Sequence, residues 1–251
     1  MAAHCRSLID AAGPACVAVK LQLACFERLR GPGWQALEEV VTVAHEAGLL
    51  VIADGKRGDV PHTAGVYAES MFGPIGTPWG DEPGLGVDAV TANPLLGRDA
   101  LQPFVSSARS SDAGVFVLVR TSNPGAAELQ DATVTGGEPL RVKLAQMVAE
   151  LGGDGVGECG LSDVGAVVGA TQPELIEELR LHMPAAVFLL PGVGAQGGRV
   201  EDVGAAFAPG RAAALVTASR SIVGPAVESG DPGVASRFAE QLREATWSAS
   251  G

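Results

Sequence analysis

A chain of 251 residues with 47% hydrophobic content is long enough for one sizeable core, and α/β barrels of this length remain single domains. Its formal net charge of −12 opposes the basic footprint that phosphodiester backbones demand, so nucleic acid is excluded as an expected partner. Apolar runs are broken by Gly, Pro or charge well short of the ~20 residues that cross a bilayer, and no basic region leads an apolar segment at the N-terminus. The expectation is a cytoplasmic protein with no membrane association, folded as one domain over residues 1–251.

In chain order, a helix-like segment from His4 to Ala12 leads into the first apolar run, Cys16 to Val19. Six further runs follow: Leu49 to Ala53, Val87 to Ala92, Val115 to Val119, Val164 to Val168, Val187 to Leu190, and Ala212 to Val216. Continuous apolar strands alternating with helical patterns indicate a parallel sheet covered on both faces. Gly33 to Ala44 is amphipathic, and Pro173 to Arg180 opens with Pro at a helix start after Thr171. Pro74 to Gly86 and Asp131 to Glu138 read as flexible loops. The fold class is therefore α/β, a TIM (β/α)8 barrel with seven strands countable, one short of closure, the shortfall falling at the front.

Cys5, Cys16, Cys25 and Cys159 form no C-x-x-C pair and have no metal-ligand spacing to His4, His45, His62 or His182. They read as reduced thiols, and no metal site is expected.

Charged and polar residues gather where the strands end: Lys20, Asp54 and Lys56, Asn93-Pro94, Thr121 to Gly125, Gly192 to Gly198, and Ser219-Arg220. In a barrel of parallel strands those ends carry the active site. Residues two apart on an extended chain share a face, so Asp54 and Lys56 are expected to point together into the barrel mouth, with Asp59 following on the loop. Carboxylates beside an ammonium favour its charged form, so Lys56 reads as a proton donor rather than a Schiff-base nucleophile. Such a group stabilises and then quenches a carbanion. The four glycines of "PGVGAQGG" allow backbone N–H groups to converge on an anion, and Arg220 is suited to grip two phosphate oxygens, which together predict a phosphorylated substrate. Asn93 is suited to pair with the edge of a heterocycle. Thr121 to Gly125 reads equally as turn chemistry or as a substrate-facing loop.

The stretches "VIADGKRGDVPHTAGVYA", "VDAVTANPLLGRDAL", "VFVLVRTSNPGAAELQ", "LLPGVGAQGG" and "LVTASRSIVG", in order from about Cys16 to Ala226, resemble orotidine 5'-phosphate decarboxylase of the longer bacterial type. The resemblance implies cofactor-free loss of CO₂ from orotidine 5'-monophosphate to give UMP. It implies that Lys56 protonates C6 of the pyrimidine and that Asp54 and Asp59 complete the charged array. Lys20, Thr63, Asn93, Gln196, Gly197 and Arg220 would bind substrate. It also implies a homodimer in which Asp59 reaches into the neighbouring subunit's site. Leu95 stands where the family usually has Tyr, Pro61 and His62 stand where small residues are commoner, and the family's opening strand with its aspartate has no match here. The alternatives are a truncated or inactive paralogue that holds nucleotide, and a related Mg²⁺-dependent sugar-phosphate decarboxylase or synthase.

Overall fold

The computed structural model describes Met1–Gly251. Helix α1 (Ala2–Ala12) precedes strand β1 (Ala18–Gln22), and α2 (Leu23–Glu27) and α3 (Gly31–Glu46) lead to β2 (Leu50–Arg57). After β2 come α4 (Pro61–Phe72) and a hairpin of β3 (Ile75–Thr77) and β4 (Gly80–Glu82), and then β5 (Ala89–Ala92). The chain continues through α5 (Arg98–Ser110), β6 (Gly114–Arg120), α6 (Ala126–Gln130), α7 (Leu140–Gly152), β7 (Ser162–Val168), α8 (Pro173–His182) and β8 (Ala186–Leu190). Short 3₁₀ turns join β8 to β9 (Ala214–Val216), and α9 (Arg220–Ser229) and α10 (Gly233–Ala249) follow.

All seven sequence-derived strands are present and pair in parallel in the order β1-β2-β5-β6-β7-β8-β9. The sheet follows chain order because each crossover returns the chain beside its predecessor, the right-handed solution for parallel strands. β1 and β9 are its two edges and share no hydrogen bonds, so the sheet is open along that seam. One expectation is corrected. Pro74 to Gly86 is not an unstructured loop, because Ile75–Thr77 and Gly80–Glu82 pair as an antiparallel hairpin turning at Pro78-Trp79. The helix expected from Pro173 is α8, with Pro173 in its first turn and the end two residues beyond Arg180.

Strand alternation separates two cores. One set of side chains, including Val51, Ala53, Val115, Val117, Phe188 and Leu190, packs outward against the helices. The opposite set, Ile52, Ala89, Phe116, Val167 and Leu189, forms a small apolar layer inside the curl. Burying each of the Val, Ile, Leu and Phe side chains among them contributes roughly 1.5–3 kcal/mol. Gly165 makes room for this layer: a Cβ there would lie 2.7 Å from the Phe116 ring and 2.5 Å from the Val187 carbonyl oxygen.

Candidate active site

Two residues beyond that apolar layer, on the same strand faces, the side chains become polar. Ala18 is followed by Lys20, Ile52 by Asp54 and Ala89 by Thr91. Period-two alternation therefore sets these three groups above the hydrophobic floor, at the C-terminal ends of β1, β2 and β5. The register places Gln22 beside Asp54, and Gln22 Nε2 donates to the Asp54 carbonyl oxygen at 3.1 Å.

Asp54 is the hub. Lys20 Nζ donates to its Oδ2 at 2.6 Å and Lys56 Nζ to its Oδ1 at 2.5 Å, while the Thr91 hydroxyl also donates to Oδ1 at 2.9 Å. The chain has three lysines, Lys20, Lys56 and Lys143, and two of them hold this carboxylate. Burial alone would push the Asp54 carboxyl up, but the charge of Lys20 and the hydrogen bonds from both lysines outweigh it and hold the group below its ordinary value. The Asp54 side chain is 6% exposed and that of Lys56 43%, so the acid is locked in place while the ammonium reaches toward solvent.

The meeting of Asp54 and Lys56 was foreseen, but simple alternation is not what produces it. The ladder between β2 and β5 pairs Ala53 with Val90 and next Arg57 with Ala92, so the three residues from Asp54 to Lys56 face Thr91 alone. Such a bulge bends the strand and re-aims its side chains. Lys56 sits at φ 49°, in the left-handed region, and its N–H is taken by the Thr91 hydroxyl at 2.9 Å. Sequence reasoning missed Thr91; the alternation that placed Ala89 inside was the available signal.

The remaining expected residues divide. Asp59 is half-buried and its Oδ1 accepts the N–H of Val60 at 2.8 Å; it pairs with neither lysine of its own chain. Thr63 is half-buried in the first turn of α4. Asn93 also has a local role: its side-chain oxygen accepts from the Leu95 N–H at 3.0 Å and caps the following turn, which leaves its NH₂ group and the second lone pair of that oxygen for a ligand.

Thr121 to Gly125 is a built loop. Buried Arg120 donates to the Thr121 carbonyl oxygen (2.6 Å), to Gln172 (3.0 Å) and to both oxygens of Asp131 (2.9 and 3.0 Å). The hydrogen bond from Arg120, reinforced by Arg141, holds the Asp131 carboxyl below its usual value. Ser122 fits because its neighbours are glycines: a Cβ on Gly169 would lie 2.8 Å from the Ser122 Cα, and one on Gly192 3.0 Å from its Cβ.

The glycine loop after β8 also departs from expectation. The amides of Gly194, Gly197 and Gly198 donate to carbonyl oxygens of the loop itself at 2.9 to 3.0 Å, so they do not converge on an anion. The amides of Ala195 and Gln196 stay free of such bonds, and Gln196 and Gly197 are exposed. Gly194 lies against the start of α9, where a Cβ would meet the Ser221 hydroxyl at 3.2 Å. The exposed Arg220 opens that helix without a carboxylate partner. The groups left without a partner at this end of the sheet are thus the amides of Ala195 and Gln196 and the guanidinium of Arg220, beside the first turn of α9.

A carboxylate shared by two ammonium groups, with a glycine loop and an arginine at the last two strand ends, lies on the carboxyl edge of a parallel barrel-type sheet, the edge where enzymes of that architecture carry their sites. The family model described as "Orotidine 5'-phosphate decarboxylase / HUMPS family" matches residues 2–237, and the chain belongs to that family. It is 46% identical over 222 residues to the orotidine 5'-phosphate decarboxylase of Rhodopirellula baltica, covering 87% of this chain and 71% of that one. With the Deinococcus radiodurans protein of the same name it shares 44% over 216 residues, covering 86% and 74%. Among solved structures, Leishmania donovani OMP decarboxylase superposes with a TM-score of 0.77 at 31% identity, covering 98% of this chain and 88% of that one. Leishmania donovani UMP synthase gives 0.79 at 33% identity, and the chain spans half of that longer protein.

Proposed function

We propose that this chain decarboxylates orotidine 5'-monophosphate to UMP in pyrimidine nucleotide synthesis, acting as a carbon–carbon lyase. The observation that carries the reading is Asp54 held between Lys20 and Lys56, at 2.6 and 2.5 Å, at the strand ends. In the reaction the bond between C6 and the carboxylate breaks, CO₂ leaves, and the electron pair remains on C6. The Lys56 ammonium, fixed by Asp54, stabilises that developing charge and delivers a proton to C6; water then restores the proton to Lys56. These proton and electron movements need no cofactor.

Lys20, Thr63 and the NH₂ group of Asn93 serve the ribose and base, while Gln196, Gly197 and Arg220 hold the 5'-phosphate. Asp59 pairs with no lysine of its own chain, and Val60, Leu95 and Leu96 near it are exposed apolar side chains. Gly58 packs against Asn93, which brings the 58–60 and 93–96 segments together. These features support a homodimer in which Asp59 completes the array of the neighbouring subunit. Both oxygens of Asp54 already accept an ammonium, which favours this reading over the metal-dependent sugar-phosphate branch of the same family.

The test is the fall in ultraviolet absorbance of orotidine 5'-monophosphate with the purified chain, with and without EDTA, against Lys56→Ala. Loss that ignores chelator and vanishes in the variant is expected. Turnover by Lys56→Ala at the parent rate would refute the mechanism, and tight UMP binding without any turnover would favour a nucleotide-holding protein.

A further inference from the structure

We propose that Thr91 is a positioning residue for this reaction: its hydroxyl clamps the β2 bulge and so sets the direction of the Lys56 ammonium. The inference rests on the reading of Lys56 as proton donor and deepens it. Thr91 is 1% exposed, on the inward face of β5. A hydroxyl has one hydrogen to donate and lone pairs to accept. Here it donates to Asp54 Oδ1 and accepts from the Lys56 N–H, both at 2.9 Å. With Lys56 Nζ on the same Oδ1 at 2.5 Å, a closed ring runs from the Lys56 backbone through Thr91 and Asp54 to the Lys56 side chain.

The backbone makes that ring necessary. Asp54 to Lys56 have no ladder partners on β5, and Lys56 holds a left-handed conformation that an L-residue adopts only when its surroundings over-determine it. Thr91 takes the place of the missing ladder acceptor. Without the hydroxyl, the Lys56 N–H loses its partner, the bulge is free to relax, and Asp54 Oδ1 keeps one donor instead of two. A buried threonine that merely satisfied a core hydrogen bond would affect stability alone; a clamp affects the rate.

The experiment compares Thr91→Val, which removes the hydroxyl at nearly constant shape, with Thr91→Ser, which restores it. Misplacing a reacting group by ~1 Å costs on the order of 100-fold in rate, so kcat of Thr91→Val is expected to fall about 10- to 100-fold with KM nearly unchanged, and Thr91→Ser to recover most of it. Trace reductive methylation read by peptide mass spectrometry supplies a readout that needs no turnover. Lys56 is expected to label faster in Thr91→Val than in the parent, with the exposed Lys143 as internal reference. Should Thr91→Val fail to fold, Thr91→Cys, a poorer donor and acceptor, is measured in the same two ways and is expected to lie between Val and Ser.

Parent-like kcat and parent-like Lys56 labelling in Thr91→Val would overturn the clamp. Impairment of Thr91→Ser equal to that of Thr91→Val would overturn it too, since the hydroxyl would not be the cause. If Lys56→Ala itself turned over normally, the underlying reading would fail instead, which keeps the two failures apart.

Discussion

Replacing Asp54 with Asn removes the carboxylate shared by Lys20 and Lys56 while keeping its shape and an acceptor for Thr91. At an effective dielectric near 20, two unit charges ~4 Å apart attract by about 4 kcal/mol. Desolvation of a carboxylate that is 6% exposed takes back several kcal/mol, whereas the Lys56 pair, with that side chain 43% exposed, adds at most about 1 kcal/mol. The Lys20 pair, 19% exposed on the lysine, supplies most of the remainder, and the net expectation is a loss of about 2 kcal/mol in Asp54→Asn at pH 7. The pH dependence fixes the sign. The folded-state value of Asp54 lies below the ordinary 3.8, so its contribution is fully present above 3.8 and is lost as the pH falls from there through the folded value. Urea unfolding of parent and variant at pH 7, and at steps below pH 3.8, should therefore show a stability gap that closes on acidification. Other carboxylates titrate in both proteins and cancel in the difference. A gap that stayed constant or widened in acid would refute the reasoning.

Three further outcomes are expected. Gly165→Ala forces a methyl against the Phe116 ring and the Val187 carbonyl oxygen, and overpacking of this kind costs about 1–3 kcal/mol, read as a lowered Tm; an unchanged Tm would mean that the interior layer has slack. Arg220→Ala should weaken UMP binding about 10- to 100-fold in calorimetric titration, the value of a charged hydrogen bond, and leave uridine binding unchanged; equal loss for both ligands would remove Arg220 from the phosphate. If Asp59 serves the neighbouring subunit, mixing inactive Lys56→Ala with inactive Asp59→Asn should restore turnover through mixed dimers that carry one intact site, and a mixture that stays inactive would sink the shared-site reading.

The strands were legible because a strand covered on both faces is apolar over most of its length, and seven such runs became seven strands, with starts within two residues; β1 and β2 run three and four residues past the apolar run, into the polar residues of the site. Helices α3 and α8 were legible through amphipathic spacing and a proline in the first turn. The hairpin at Ile75–Thr77 and Gly80–Glu82 was not, because strands of three mostly exposed residues carry no hydrophobic alternation, and glycine and proline dominate the segment.

At the site, the sequence by itself determined which residues gather: charge stationed immediately after apolar strands, in a fold that brings strand ends together, is enough to name Lys20, Asp54 and Lys56. It did not determine how they are held. Only the tertiary structure decided that β2 bulges opposite Thr91, that Asn93 caps the turn at Leu95, that the glycine amides bond within their own loop, and that Asp59 stands apart from the lysines of its own chain. The physical reason is range. Burial and alternation are properties of neighbours along the chain, whereas hydrogen-bond partners and a shifted register are set by residues tens of positions away, and one slipped pairing redirects every side chain beyond it.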